Sequence, residues 1–349
     1  MSANAVTASR FPKITEEGLN DLRKRIGVKI TDTVEPWNYE ATRDAIRHYA
    51  HGIGDDNPLW CDPAYAQKTR YGSIVALPSF LFTSSRIVSG YVGGLSGVHA
   101  MWAGADWTWH KPVLRNDLIT TEAYLKDLIE HQTRFAGRSF QQIYHVDFFN
   151  QKGDKVAECD SWVFRTDRDE ARERGTKYTE ARGRVEPFTD QQLAELYKLY
   201  EAEQIRGATP RYWEDVKEGD ALPEVKVANL TRTDFVKYAG ASGDFNPIHH
   251  DQTFAEASGN PTVFAMGMLN AGILSRVVTA FAGRPNVRRY KVRFATRVWP
   301  GDDIVCRGRV TKKLAQGGEK LVEGELEAVN QKGETLISGS FVAALPSRG

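Results

Sequence analysis

Residues 238–259 read YAGASGDFNPIHHDQTFAEASG and hold an aspartate, Asp244, and a histidine, His249, on either side of an Asn246-Pro247 step. A carboxylate and an imidazole facing one water can divide the work of adding that water to a conjugated double bond. One group takes a proton from the water and the other delivers a proton to carbon. Imidazole titrates near neutrality, and a carboxylate in an apolar cleft is pushed towards neutrality by desolvation. Pro247 fixes its own φ and biases Asn246 away from helix, so the turn can aim both side chains inward, and Asn246 can orient one of the pair. The plain alternative is that Asp-x-Asn-Pro only makes a tight turn and caps a helix, with His249 a satisfied surface residue. The histidine, the apolar helix that follows and an internal repeat together favour the chemical reading.

The elements that must position this pair occur twice. Gly54, Asp55, Asn57, Pro58 and Asp62 match Gly243, Asp244, Asn246, Pro247 and Asp251 at one offset, 244 − 55 = 189. Farther on Arg86 pairs with Arg276 and Gly93 with Gly283, at 276 − 86 = 190, and NQKG at Asn150 recurs at Asn330. Each copy of the motif leads into a segment apolar on nearly all faces, starting at Leu77 and at Ala265, which predicts a buried helix. Segments rich in β-branched residues and bounded by Gly, Pro or Asn turns follow, such as YKVRFATRV and EKLVEGELEAVNQ. One central helix wrapped by an antiparallel sheet makes each half an α+β unit. The first unit is expected over residues 15–165 and the second over 210–346. Between them, 166–209 reads as a charged linker ending in a short amphipathic helix with Thr189 as N-cap and Gln192 closing a capping box.

The run from Tyr238 to Gly259 resembles the signature of the MaoC-like R-specific enoyl-CoA hydratases, a hotdog family with double-hotdog members whose first half is degenerate. The resemblance to the fold covers both halves, and the catalytic signature is complete only in the second. It implies that Asp244 and His249 are catalytic, that the reaction is reversible hydration of a trans-2-enoyl thioester, and that the substrate is carried on coenzyme A or an acyl-carrier protein. It also implies that Gly267, at the start of the second central helix, donates its amide to the thioester carbonyl, where amide groups at a helix start hold developing negative charge. Met266 departs from the histidine often found before that glycine. The bland reading of Gly267 is close helix packing. A hotdog thioesterase and a non-catalytic acyl-thioester binding subunit stand beside the hydratase reading as alternatives.

In the first half Trp60 falls at the position of His249. An indole cannot serve as a proton-transfer base, so this half reads as a non-catalytic lobe, with Trp60 either core or part of an acyl platform. Arg289 and Arg293 in VRRYKVRF suit the phosphates of coenzyme A, or are ordinary solvent-facing charge. Arg86 and Arg276 read as buried ion-pair partners for the opposite half or a dimer mate. His99 and His110 lie beside the tryptophan-rich MWAGADWTWHKP, which reads as core and tunnel wall rather than as a metal site.

The 349 residues carry 46 Lys plus Arg against 45 Asp plus Glu, a net charge of +1 that makes no case for a nucleic-acid partner. Three scattered cysteines suggest neither a disulfide framework nor a zinc site and fit a reducing cytoplasm. No dinucleotide or Walker loop stands out, so no cofactor is expected. The apolar stretches are broken by Arg86 and Arg276, so no membrane span is expected. A homodimer is the expected assembly.

Overall fold

The computed structural model describes residues 12–31, 35–88, 93–133, 137–167, 189–191, 194–195, 198, 210–283 and 286–348. The first half runs through helices α1 (Glu16–Arg23), α2 (Arg43–Gly52), α3 (Pro58–Cys61) and α4 (Pro63–Gln67) and a 3-10 segment, Pro78–Thr83. Strands β1 (His99–Trp109), β2 (Thr120–Thr133), β3 (Gly137–Phe149) and β4 (Lys155–Thr166) follow. The second half opens with β5 (Val225–Val227) and α5 (Arg232–Ser242), passes a 3-10 turn at Pro247–His249, and continues through α6 (Gln252–Ala257) and α7 (Gly267–Ala282). It closes with β6 (Val287–Phe294), β7 (Ile304–Gln316), β8 (Glu319–Asn330) and β9 (Thr335–Ala344).

Local chemistry repeats as faithfully as the letters do. Thr42 and Thr231 cap α2 and α5, accepting from the amides of Ala45 and Asp234, and they stand at the motif's own offset, 231 − 42 = 189. Asp62 and Asp251 cap α4 and α6 in the same way. Asn150 accepts from the amides of Lys152 and Asp154 in one hairpin, and Asn330 from those of Lys332 and Glu334 in the other. These side chains satisfy donors that the turn would otherwise leave bare.

All strands join one antiparallel sheet in the order β2-β3-β4-β1-β6-β9-β8-β7-β5. Outward from the β1–β6 junction, both sides run through corresponding strands: β4, β3, β2 on one and β9, β8, β7 on the other. Helix α7 lies in the core with every residue buried except Gly267 and Ala280, and the hydroxyl of Tyr290 on β6 donates to its Ala271 carbonyl at 2.8 Å.

The first central segment differs from expectation. Instead of a long helix, among the described residues of this segment only Pro78–Thr83 is helical, and as a 3-10 turn. Thr83, Ser84 and Ser85 stand in succession there, and the Thr83 hydroxyl donates to the Phe80 carbonyl at 3.0 Å. Hydroxyls that bond the nearby backbone compete with helix propagation. The Thr189–Gln192 capping box lies outside the described residues, since Gln192 does, as does most of the charged linker. Among the described residues no helix is long and apolar enough to cross a membrane.

Candidate active site

Helix α5 ends at Gly243, whose φ of 75° is left-handed. A Cβ there would stand 2.6 Å from Trp37, so both backbone and space require glycine. Asp244 follows directly. Its amide donates to Ser242 Oγ at 3.2 Å, and its Oδ1 accepts from the Asn246 amide at 3.4 Å. The Asn246 side chain instead accepts from the Ile248 amide at 3.2 Å and starts the turn that carries His249. Asn246 thus touches Asp244 through its main chain, not through its carboxamide.

His249 is 8% exposed, and its Nδ1 lies 2.8 Å from the Phe264 carbonyl, with the Phe264 ring edge-on at 5.1 Å. A carbonyl only accepts, so Nδ1 carries the proton and the neutral ring keeps its lone pair on Nε2. Desolvation pushes the His249 pKa down, against the opposing attraction of the Asp244 charge. Desolvation likewise pushes the Asp244 carboxyl up, opposed first by His249 and then by the Asn246 amide and Arg86. Both groups are biased towards their uncharged forms and feel one another's charge, so they titrate as a unit.

Gly267 is the first residue of α7. A Cβ on it would meet the Trp102 ring at 2.7 Å and Phe294 at 3.4 Å. The close-packing reading of this glycine therefore holds, and its amide also lacks an acceptor within the helix because of its position. Trp102 comes from β1 in the other half, packs against Phe294 with ring centroids 4.6 Å apart and planes tilted by 49°, and donates from Nε1 to Ser161 Oγ at 2.8 Å. Nothing in the spacing of the tryptophan-rich segment links Trp102 to Gly267.

The twin motif keeps its turn. Asp55 accepts from the Asn57 amide at 3.2 Å, and Asn57 from the Leu59 amide at 3.0 Å. Trp60 takes the place of His249, is fully buried, and donates from Nε1 to the Asp55 carbonyl at 3.2 Å. With no exposed surface it is core in this structure rather than a platform open to a ligand.

Buried ion pairs with the opposite half or a dimer mate were expected of Arg86 and Arg276, and both side chains do reach the opposite half. Their partners include main-chain carbonyls: Gly243 for Arg86 at 2.6 Å and Ile53 for Arg276 at 3.3 Å. Arg289 makes a two-pronged ion pair with Asp106 on β1 at 2.7 and 3.1 Å. Arg293 is exposed on the same face of β6, which alternates with the face holding Tyr290 and Val292 against the core.

One group among the described residues has the spacing of metal ligands: His145, Asp147 and Glu158. The Lys155 ammonium already lies 2.8 Å from Asp147 and 3.3 Å from Glu158 and offsets part of their charge. Burial pushes the Cys61 and Cys306 thiols up to about 12, and Cys159 well above its ordinary value, so none offers a ready thiolate at neutral pH.

The profile of the MaoC-like domain matches residues 216–332, and that of the FAS1-like dehydratase domain region matches residues 26–159. An (R)-specific enoyl-CoA hydratase of Rhodospirillum rubrum is 29% identical over 140 residues, which are 40% of this chain and 94% of that protein. 3-Hydroxyacyl-thioester dehydratase X of Mycobacterium tuberculosis is 39% identical over 77 residues, 22% of this chain and 26% of that one. A solved MaoC-like dehydratase superposes with a TM-score of 0.70 at 23% identity, covering 93% of this chain and 99% of the other, and establishes the shared hotdog fold. The paired motifs, the mirrored sheet and these matches agree that the chain carries a MaoC-like domain in its second half and a FAS1-like dehydratase domain region in its first.

Proposed function

We propose that the chain interconverts a trans-2-enoyl thioester and the (R)-3-hydroxyacyl thioester, with Asp244 and His249 as the proton-transfer pair. The observation that carries this reading is the tautomer of His249: Nδ1–H is held by the Phe264 carbonyl while burial disfavours the imidazolium, which leaves Nε2 as a base. In hydration, Nε2 takes a proton from water as the water oxygen bonds to the β carbon. The π pair shifts towards the α carbon and the carbonyl, and Asp244, biased towards its protonated form, delivers a proton to the α carbon. Return of a proton from the imidazolium to the carboxylate resets the pair, and dehydration runs the same steps backwards.

The Gly267 amide, at the positive end of α7, would hold the thioester oxygen as charge builds on it. Residues 210–346 would form the catalytic hotdog and 15–165 a non-catalytic one. Since Arg289 is occupied by Asp106, a carrier phosphate would draw on Arg293 first. The likeness to the Rhodospirillum rubrum hydratase supports both the reaction and its R configuration.

The test is a spectrophotometric assay with crotonyl-CoA and a longer enoyl-CoA, following loss of the conjugated double bond and release of free thiol in parallel. Loss of the double bond without thiol is the expected result. Thiol release would make the protein a thioesterase, and neither change would make it a binding subunit.

A further inference from the structure

Each half has a corner where the strand leaving the β1–β6 junction meets the start of the central segment, and the two corners correspond residue by residue. The Ala76 amide donates to the Val113 carbonyl and the Ala265 amide to the Val298 carbonyl, both at 2.9 Å, which pairs Pro78 with Gly267. His110 and Lys111 both donate to Val156, and Ala295 and Thr296 both donate to Leu336, which pairs Trp109 with Phe294. A register shift falls between Trp102 and Gly104 in one strand and between Val287 and Arg289 in the other, so Trp102 stands where Val287 does.

In the first half this corner is open. A crevice of about 200 Å³ is lined there by Leu77, Pro78, Leu81, Trp109, Val113 and Val287. In the second half the corresponding place holds the indole of Trp102, with ring carbons 2.7 and 3.0 Å from where a Gly267 Cβ would stand. Valine leaves the room that tryptophan takes.

We propose that Trp102 is a specificity-determining residue that excludes enoyl thioesters substituted at the α carbon. This rests on the reading of Gly267 as the amide that holds the thioester carbonyl. A wall beside that carbonyl has two sides to discriminate. On the sulfur side every carrier thioester presents the same methylene, so the wall separates substrates only by what the α carbon carries. The Nε1 bond to Ser161 and the contact with Phe294 hold the indole in place, so an α-methyl group meets a ring that cannot easily yield.

The test uses saturated thioesters, which bind without reacting, so that it does not depend on turnover. Calorimetry would compare butyryl-CoA with isobutyryl-CoA, its α-methyl-branched isomer, on the wild type, Trp102→Val and Trp102→Phe. The wild type is expected to prefer butyryl-CoA, and Trp102→Val to shift the affinity ratio towards isobutyryl-CoA by about tenfold or more, the range a single methyl group commands in a shaped pocket. Trp102→Phe should fall between them, and it carries the comparison alone if the valine variant does not fold. An unmoved ratio, equal loss of both ligands, or no binding of either by the wild type overturns the proposal. A moved ratio in a protein that fails to hydrate crotonyl-CoA would uphold Trp102 and overturn the hydratase reading instead.

Discussion

Arg86 Nη1 donates to the carbonyl of Gly243, 157 residues away, at 2.6 Å, so the residue just before Asp244 is anchored from the first half of the chain. The Arg86 charge also holds the Asp244 carboxyl down against the upward push of burial. A hydrogen bond from a charged donor contributes about 1.5–3 kcal/mol. If it positions Asp244, Arg86→Met should lower turnover by about 10- to 100-fold and raise the pKa of the pair. Arg276→Met, which releases Ile53 just before the Asp55 motif, should lower stability in urea while leaving turnover near wild type.

The pH profile follows from the directions of the shifts. Burial lowers the His249 pKa, so the acidic limb of kcat/KM should lie below the ordinary histidine value of about 6.5. Burial raises Asp244, so the alkaline limb should lie above the ordinary carboxylate range. Both limbs belong to the coupled pair. An acidic limb at or above pH 7 would contradict the desolvated site.

Stability gives an independent sign. With its folded pKa raised, Asp244 binds its proton more tightly in the native state, so ionising it weakens folding as pH rises from the unfolded value near 3.9 through the folded one. Asp244→Asn removes that penalty at neutral pH and keeps the shape. Its thermal midpoint should equal or exceed that of the wild type at pH 7, and a clear drop would show that the carboxylate is structural.

Much of this was legible because the motif is local. Gly243, Asp244, Asn246 and His249 lie within one turn region, and their repeat at offset 189 pointed to a matching turn at Asp55, Asn57 and Pro58 before any contact was known. What lay hidden was pairing across the sheet. Trp102 meets Gly267 only because β1 and β6 pair, and no spacing in the chain encodes that distance. Arg289 read as a phosphate ligand because Asp106, its partner, sits on β1. The apolar pattern from Leu77 reads as a long helix because it masks the helix-competing run Thr83-Ser84-Ser85.

Dialysis against a strong chelator should leave hydratase activity unchanged, because the proposed steps use only Asp244, His249 and a backbone amide. Loss of activity that zinc or another metal restored would contradict that chemistry and draw attention to His145, Asp147 and Glu158.

The asymmetry of the two motifs tests the central claim. Asp55 and Asp244 sit in matching turns, but Trp60 fills the place of the imidazole beside Asp55. The measurement is turnover of an enoyl-CoA by Asp55→Asn, Asp244→Asn, His249→Ala and the double variant of the last two, with folding checked by circular dichroism. Asp244→Asn and His249→Ala should each cost roughly 10² to 10⁴, the double little more than the worse single, while Asp55→Asn stays near wild type. Equal losses at Asp55 and Asp244 in folded protein would contradict the account.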